Sequence, residues 1–302
     1  MTDLSKFDPN SVGNPNNNIF GLPFTEEDAA VVLVPVPWEV TVSYIAGTAR
    51  AAEHICKASL QVDLIDTDVK DGWKEGFYMR DIDKKVLMKS DYLRKEAELF
   101  INYISQGDHV IDSKFMCKIL KEVNEGSEFL NNWVYEQTKE LLDNGKLVGV
   151  VGGDHSTPLG FFKAIAEKYG DFGILQIDAH CDLRKAYENF KYSHASIMYN
   201  ALEEIPELIK LVQLGIRDYS PGEYDYIKNS NERVVTYFDQ YIKEQIFYLF
   251  KKVAESGRQF IGFDLNEVGI SPNEWDENVG ARVLFKLCNL MVAAKINNYA
   301  TV

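Results

Sequence analysis

Positive charge is scarce in this sequence. Its 302 residues include 32 Lys and Arg against 46 Asp and Glu, so the formal net charge is −14 at pH 7. A protein that binds nucleic acid or an anionic membrane over a broad face neutralises phosphates with clustered basic side chains. We therefore expect neither nucleic acid nor a membrane as a partner.

Cysteine and long apolar runs are scarce as well. The four cysteines lie far apart and include no CxxC pair, which disfavours a disulfide framework and a zinc finger. No apolar run approaches the roughly 18 residues of a membrane span, and no apolar segment follows a basic one near the N-terminus. These absences predict a cytoplasmic protein whose thiols are reduced.

Apolar residues are plentiful, at 46% of the chain, which is enough for a large core. Residues 1–30 are rich in Asn, Pro and Gly, and we interpret them as an irregular N-terminal arm on a single domain of residues 31–302. Short apolar runs predict buried strands at 31–37, 147–151, 173–177, 211–215 and 259–263. Apolar residues at helical spacing predict helices at 48–60, 91–105, 113–144, 158–169, 239–256 and 279–296.

The alternation of strands and helices predicts an α/β fold. Strand–helix–strand units form right-handed crossovers, which place helices on both faces of a mostly parallel sheet. The stretch 61–112 is charged and shows this alternation less clearly, so we interpret it as an insertion or an elaborated surface segment.

Polar residues with metal-ligand chemistry follow three of the predicted strands. In an open parallel sheet, ligands bind beyond the carboxyl ends of the strands, so these residues are expected to meet at one rim. Asp178, His180 and Asp182 alternate along an extended segment, and their side chains can therefore project to one side. The full set of candidates from the three strand ends is His155, Asp178, His180, Asp182 and Asp264.

A cluster of carboxylates calls for a cation. Without one, the carboxylates would repel and desolvate one another at a cost of several kcal/mol. Oxygen and nitrogen ligands without a thiolate favour Mn²⁺. Five ligands with two bridging carboxylates could hold two ions roughly 3.5–4 Å apart and activate a water for hydrolysis. One cation held by His155, Asp178, Asp182 and Asp264 is the alternative that the residues leave open.

Four motifs in this order resemble the ureohydrolase family, which includes arginase, agmatinase and formimidoylglutamase. They are GGDHS at 152–156, DAHCD at 178–182, SHAS at 193–196, and Asp264 within GFDLNE. The resemblance extends over roughly residues 30–296. It implies a three-layer α/β/α sandwich, assembly as homo-oligomers (trimers or hexamers), and hydrolysis of guanidino or formimino groups at a binuclear manganese centre.

The resemblance also implies a role for each matched residue. His155 and Asp182 are similar to the ligands of one metal ion, His180 to a ligand of the other, and Asp178 and Asp264 to carboxylates that bridge both. Where the family usually has a second aspartate after the last of these, the chain has Asn266, a neutral and weaker ligand. The second metal site is therefore expected to be weakened.

Other matched residues would serve catalysis and substrate binding. His194 is similar to the family histidine that passes a proton to the departing amine, while Asp182 would also steady the tetrahedral intermediate. Arg184 lies in a DLR segment that resembles formimidoylglutamase-like members, where an arginine binds a substrate carboxylate; a salt bridge is the other interpretation. The guanidinium-binding glutamate of the family is missing after Gly280, and Glu267, Glu274 and Glu277 are the candidates to replace it.

These observations favour a metal-dependent hydrolase that cleaves a linear amidine or guanidine C–N bond with a metal-activated hydroxide. Asn266 and the missing glutamate motivate an alternative. In that alternative the chain is a catalytically impaired member of the family, with a mononuclear or empty metal site, which acts in binding or regulation.

Overall fold

The first parallel sheet is built around a fully buried central strand. The computed structural model describes residues 2–43, 45–240, 261–273 and 275–299 of the chain. Strand β1 (Val31–Pro35) pairs with β2 (Phe77–Met79) on one side and with β3 (Leu147–Val151) on the other. A further strand lies beyond β3, so that the order is β2-β1-β3-β7 with every pair parallel, and β7 comprises Gly262–Leu265.

A second parallel sheet holds the remaining strands. It consists of β4 (Phe172–Ile177), β5 (Leu208–Ile216) and β6 (Val234–Phe238), in the order β4-β5-β6. Within the described part of the chain, β4 and β7 each have one unpaired edge. The mostly parallel sheet predicted from the sequence is therefore two parallel sheets in these residues.

Seven α-helices connect and cover the strands of the described chain. Three of them begin at side-chain caps: Asp83 accepts hydrogen bonds from two backbone N–H groups, Ser113 accepts one, and Ser220 forms a capping box with Glu223. The helices are α1 (Ala51–Ser59), α2 (Lys84–Ser105), α3 (Lys114–Asp143), α4 (Leu159–Tyr169), α5 (Ile197–Glu204), α6 (Pro221–Asn229) and α7 (Trp275–Tyr299).

Alternation along β1 divides the core into two layers. Val32 and Val34 belong to a cluster with residues of α2, α3 and α4. Val31 and Leu33 point to the opposite face, where they belong to a cluster with residues of α1 and α7. Helices therefore cover both faces of this sheet, which confirms the three-layer α/β/α sandwich.

The N-terminal arm contributes to the second of these layers. It is irregular apart from two short 3₁₀ turns, as its composition predicts. Five of its side chains are nevertheless buried in the cluster formed with α1 and α7, namely Ile19, Phe20, Leu22, Phe24 and Ala29.

The interpretation of residues 61–112 as an insertion was wrong. This stretch supplies β2, which pairs with the central strand, and α2, which packs against α3 with Val86, Leu93, Ala97 and Phe100 buried. The sequence pattern underestimated it because β2 has only three residues and α2 is highly charged on its outer face. Strand β6 and helices α5 and α6 were also missed.

Most of the other predicted elements are present. The strands predicted at 147–151 and 173–177 match β3 and β4, and the long helix predicted at 113–144 matches α3. The helix predicted at 239–256 lies outside the described residues apart from its first two positions. In the described part of the chain, no helix combines the length and apolar character needed to cross a membrane.

Close packing of α3 on α4 depends on Gly160. A Cβ at this position would lie 2.1 Å from the backbone oxygen of Asn131 and 2.7 Å from the backbone nitrogen of Tyr135. We expect Gly160→Ala to lower the free energy of unfolding by about 3 kcal/mol, because neither helix backbone can move independently of the core.

Gly222 on α6 provides the matched control, since a Cβ there would meet no atom within 4 Å. Gly222→Ala is expected to change the free energy of unfolding by less than about 0.5 kcal/mol. Urea unfolding followed by circular dichroism measures both variants, and equal effects would contradict this account of the α3–α4 contact.

Candidate metal centre

A two-glycine turn after β3 opens the site. Gly152 and Gly153 have left-handed φ values of 88° and 82°. A Cβ on Gly153 would lie 2.7 Å from the oxygen of Trp38 and 2.8 Å from that of Val36, so only glycine fits. The turn is fixed by the Asp154 N–H, which donates to the Trp38 oxygen at 2.8 Å. It brings His155 to the carboxyl end of the strands.

Three predicted ligands converge at this end. His155 Nδ1 lies 2.6 Å from Asp182 Oδ2 and 3.2 Å from Asp178 Oδ2. One potential ligand atom from each residue lies within 4.8 Å of the others, and all three side chains are largely shielded from solvent. Asp178 follows β4, whereas Asp182 has a left-handed φ of 52°. The cluster thus joins the two sheets at their carboxyl ends.

The charges in this cluster are strongly coupled. Burial alone would lower the pKa of His155, but hydrogen bonds and charges from Asp178 and Asp182 raise it well above its usual value. Burial also opposes ionisation of Asp178, yet hydrogen bonds from His155, the His180 N–H and Gln176 lower its pKa to about 2. Burial raises the pKa of Asp182, and His155 opposes that shift. The raised pKa of His155 favours a protonated imidazole, whose positive charge would offset the two carboxylates.

Asp264 approaches the same histidine from its other side. Its Oδ1 lies 3.9 Å from His155 Nε2, and its position on β7 is paired with Val150 of β3. Burial raises the pKa of Asp264. Asn266 is held beside it, because its Nδ2 donates to Asp264 Oδ1 at 2.5 Å and its Oδ1 accepts from Thr157 Oγ1 at 2.9 Å. Asp264 therefore borders the three-residue cluster, and the amide of Asn266 is engaged in hydrogen bonds.

His180 stands further out than the sequence pattern suggested. Its side chain is 58% exposed, and its Nδ1 lies 3.9 Å from Asp178 Oδ1. The backbone N–H of His180 donates to Asp178 Oδ1 at 3.0 Å, and the residue forms a parallel bridge with Asp218. In this geometry His180 holds Asp178 in place and leaves its own ring at the mouth of the site.

Of the candidate glutamates, Glu267 is the one at the site. Its Oε1 accepts a hydrogen bond from the His155 N–H at 3.3 Å, and its own N–H donates to the Gly153 oxygen at 2.9 Å. Partial desolvation raises the pKa of Glu267 while the charges of His155 and His194 oppose that shift, so its carboxyl lies near both rings. Glu277 instead accepts hydrogen bonds from Ser271, and Glu274 lies outside the described residues.

His194 lies on the same side as Glu267. Its Nδ1 is 3.4 Å from Thr41 Oγ1 and 3.4 Å from Ser193 Oγ. The Tyr187 ring packs edge-on against it, with ring centroids 6.1 Å apart. The charge of His194 lowers the pKa of Asp182, although burial is the larger influence and raises it. Through the Thr41 hydroxyl, the imidazole is linked to Asp154, the residue before His155.

Arg184 borders a cavity beside the site. The cavity has a volume of about 560 Å³ and is lined by the 183–189 loop and the start of α6. The guanidinium stacks over the Tyr187 ring at 4.8 Å, and Nε lies 3.5 Å from Glu223 Oε2. The side chain is 40% exposed. Arg184 thus forms a salt bridge with Glu223 and also lines the cavity, where it could meet a substrate carboxylate.

Solved structures with this architecture define the class of fold. Proclavaminate amidino hydrolase from Streptomyces clavuligerus superposes with a TM-score of 0.66 over 94% of this chain and 99% of its own, at 14% identity. An agmatine ureohydrolase of Thermoplasma volcanium gives a TM-score of 0.64 over 92% of this chain and 93% of its own, at 18% identity. The chain has the arginase fold.

Sequence comparison identifies the family. The model of the Arginase family matches residues 29–271, and the chain belongs to this family. An N(1)-aminopropylagmatine ureohydrolase of Thermus thermophilus is 30% identical over 191 residues, which are 63% of this chain and 52% of that protein. An agmatinase of Bacillus anthracis is 27% identical over 203 residues, which are 67% and 57% of the two chains. The chain thus spans about half the length of the curated relatives it matches.

The proton on His155 predicts that metal binding depends on pH. A divalent ion held by His155, Asp178 and Asp182 must displace this proton, because a ligating imidazole is neutral. Since the pKa of His155 is raised, the proton is bound at neutral pH and leaves more easily as the pH rises. We expect the affinity for Mn²⁺ to increase between about pH 6 and about pH 8, with about one proton released per ion bound at neutral pH.

Isothermal titration in buffers of different ionisation enthalpy measures this proton release. His155→Gln should abolish both the proton release and tight binding. The control is His109→Gln, which changes a histidine in a surface turn distant in sequence from His155, and this variant should retain both. Tight binding to the unchanged protein without proton release would contradict the assignment of His155.

Proposed function

We propose that the protein is a metal-dependent hydrolase of the C–N bond in a linear guanidine or amidine. The observation that carries this proposal is the convergence of His155, Asp178 and Asp182 with His194 and Glu267 beside them. Relatives named for agmatinase, guanidinobutyrase and proclavaminate amidinohydrolase activities support the same class of reaction.

The residues present fit a divalent cation. Two carboxylates and an imidazole lie close enough together to ligate one ion, and no thiolate belongs to the group. We propose that His155, Asp178 and Asp182 hold Mn²⁺. Asp264 and His180 would be the further ligands of a second ion, whose binding Asn266 would weaken. When bound, such ions lower the pKa of a coordinated water and polarise the atom under attack.

The remaining side chains would bind the substrate and move protons. The Glu267 carboxylate would accept hydrogen bonds from the guanidinium or amidinium group, as charge-assisted pairs of this kind are strong. His194 would take up a proton at Nε2 and deliver it to the departing amine. Asp182 would stabilise the substrate carbon as it becomes tetrahedral. For a substrate with a carboxylate tail, Arg184 is the residue that would bind it.

The setting of this activity is also part of the proposal. We propose that the protein works in the cytoplasm and assembles as a homo-oligomer, a trimer or hexamer. Its substrates would be small guanidino or formimino compounds. Its excess of acidic residues is consistent with a cationic substrate.

The test is hydrolysis of a panel of compounds with Mn²⁺ supplied, measured by the release of urea, ammonia or formamide. The panel includes agmatine, arginine, guanidinobutyrate and formiminoglutamate. We expect turnover of at least one compound, and metal analysis should find one or two Mn²⁺ ions per chain. No turnover of any compound by metal-loaded protein would contradict the enzyme, and an empty site would favour the catalytically impaired alternative.

Glu267→Gln tests the contact with the substrate. Removing the carboxylate should raise KM for a guanidinium substrate about tenfold or more, because a charge-assisted hydrogen bond contributes about 1.5–3 kcal/mol. Glu277→Gln is the matched control, since this glutamate bonds with Ser271, and its KM should change less than twofold. Equal effects of the two substitutions would contradict the role of Glu267.

A further inference from the structure

Thr41 is a fully buried hydroxyl beneath the imidazole of His194. It lies in the loop after β1, and its Oγ1 contacts three groups. The backbone N–H of His194 donates to it at 3.0 Å. The ring nitrogen Nδ1 of His194 lies 3.4 Å away, and Asp154 Oδ2 lies 3.3 Å away. The hydroxyl thus joins a buried carboxylate to the ring proposed to move the proton.

The surroundings of Asp154 decide where the Thr41 proton points. Asp154 is completely buried, and its Oδ2 also accepts from the Thr41 N–H at 3.2 Å. Its Oδ1 accepts from the Ser156 N–H at 2.9 Å and from the Ser156 hydroxyl. Because every neighbour can donate and two of them are backbone N–H groups, the carboxyl acts as an acceptor on both oxygens. The Thr41 hydroxyl therefore donates its proton to Asp154.

The lone pairs of Thr41 Oγ1 are then left to face His194. One lone pair accepts the backbone N–H of His194. The other faces Nδ1 of the ring, and it can accept a hydrogen bond there only if Nδ1 carries a proton. In a neutral imidazole one nitrogen carries the proton and the other is an acceptor, so a donor at Nδ1 leaves Nε2 unprotonated. Among the residues that the structure describes, none forms a hydrogen bond with Nε2.

We propose that Thr41, oriented by Asp154, is a positioning residue that holds His194 in the tautomer with its proton on Nδ1. This inference rests on the proposed function, in which Nε2 takes up a proton before passing it to the leaving amine. A proton shuttle requires an unprotonated nitrogen at the start of the cycle, and the Asp154–Thr41 pair supplies that state.

A buried arginine keeps Thr41 in place. Arg94 of α2 donates from Nη1 to the backbone oxygens of Val40, at 3.4 Å, and Val42, which flank Thr41 on either side. The residue is 9% exposed, so its guanidinium ties the loop to α2 from within the protein. The orientation of Thr41 thus has a cause outside the metal centre.

The ring nitrogens of His194 can be observed directly. Selective ¹⁵N labelling of histidine and long-range ¹H–¹⁵N correlation distinguish the two tautomers, and the His194→Gln spectrum identifies the signals of this residue. The spectra are recorded on the whole protein, both as purified and with diamagnetic Mg²⁺. We expect the Nδ1-protonated form in the unchanged protein and in Thr41→Ser. In Thr41→Val, which has the shape but no hydroxyl, we expect a shift towards the Nε2-protonated form.

Two further variants separate the contributions. Ser193→Ala removes the other hydroxyl near Nδ1 and should leave the tautomer unchanged. Asp154→Asn should place an amide N–H against Thr41, release the hydroxyl proton towards Nδ1 and favour the Nε2-protonated form. Asp154→Asn retains the shape of the side chain, so it also serves if Thr41→Val does not fold. If Thr41→Val and Asp154→Asn both keep the Nδ1-protonated form, or if the one of them that folds keeps it, the proposal is overturned.

Kinetics on a substrate identified by the panel provides the second readout. Thr41→Val should lower kcat about 30-fold, within the range of general acid–base catalysis, while KM changes less than about twofold. Thr41→Ser should restore kcat to within about threefold of the unchanged protein. Equal losses in both variants would overturn the proposal. The tautomer is measured without turnover, so the two proposals can fail separately. If the protein is inactive but the His194 tautomer changes in Thr41→Val, the proposed function is refuted and the positioning role of Thr41 stands.

Discussion

The structure depends on one electrostatic constraint, which is the crowding of carboxylates around a single partly enclosed imidazole. Asp178 and Asp182 contact His155 directly, while Asp264 and Glu267 lie on its other sides. Groups of like charge cannot remain together in a shielded site unless a positive charge compensates them. Either a proton on His155, which its raised pKa favours, or a divalent cation would meet this need.

The backbone is distorted where it meets this constraint. Asp182 and Glu267 have left-handed φ values of 52° and 56°, which cost of order 1–3 kcal/mol each in residues with a Cβ. The distortions persist because the surrounding bonds determine them: the Asp182 oxygen accepts from the N–H groups of Met198 and Tyr199, and the Glu267 N–H donates to Gly153. The conformational cost is concentrated where ligand atoms have to be aimed, as is usual for functional sites.

Residues outside the candidate ligand set hold the loops of the centre in place. Arg94 on α2 ties down the loop that contains Thr41, and Thr41 links Asp154 to His194. Helix α2 belongs to the charged stretch whose sequence resembles a surface insertion. The helix is thus part of the apparatus that orients the site, and a large apolar core on either side of β1 keeps it rigid.

The sequence by itself determined the fold class, the strands β1, β3 and β4, and the three side chains of the candidate cluster, His155, Asp178 and Asp182. Their signals are local: short apolar runs that end in glycine, proline or polar residues, and the close spacing of Asp178 and Asp182. Tertiary structure alone decided that Glu267 reaches His155 and that His180 remains exposed. The first depends on how the loops after β3 and β7 meet, and the second on the path of the loop after β4. Tertiary structure also revealed Arg94 and Thr41, since contacts between residues so far apart in the chain leave no periodic pattern in sequence.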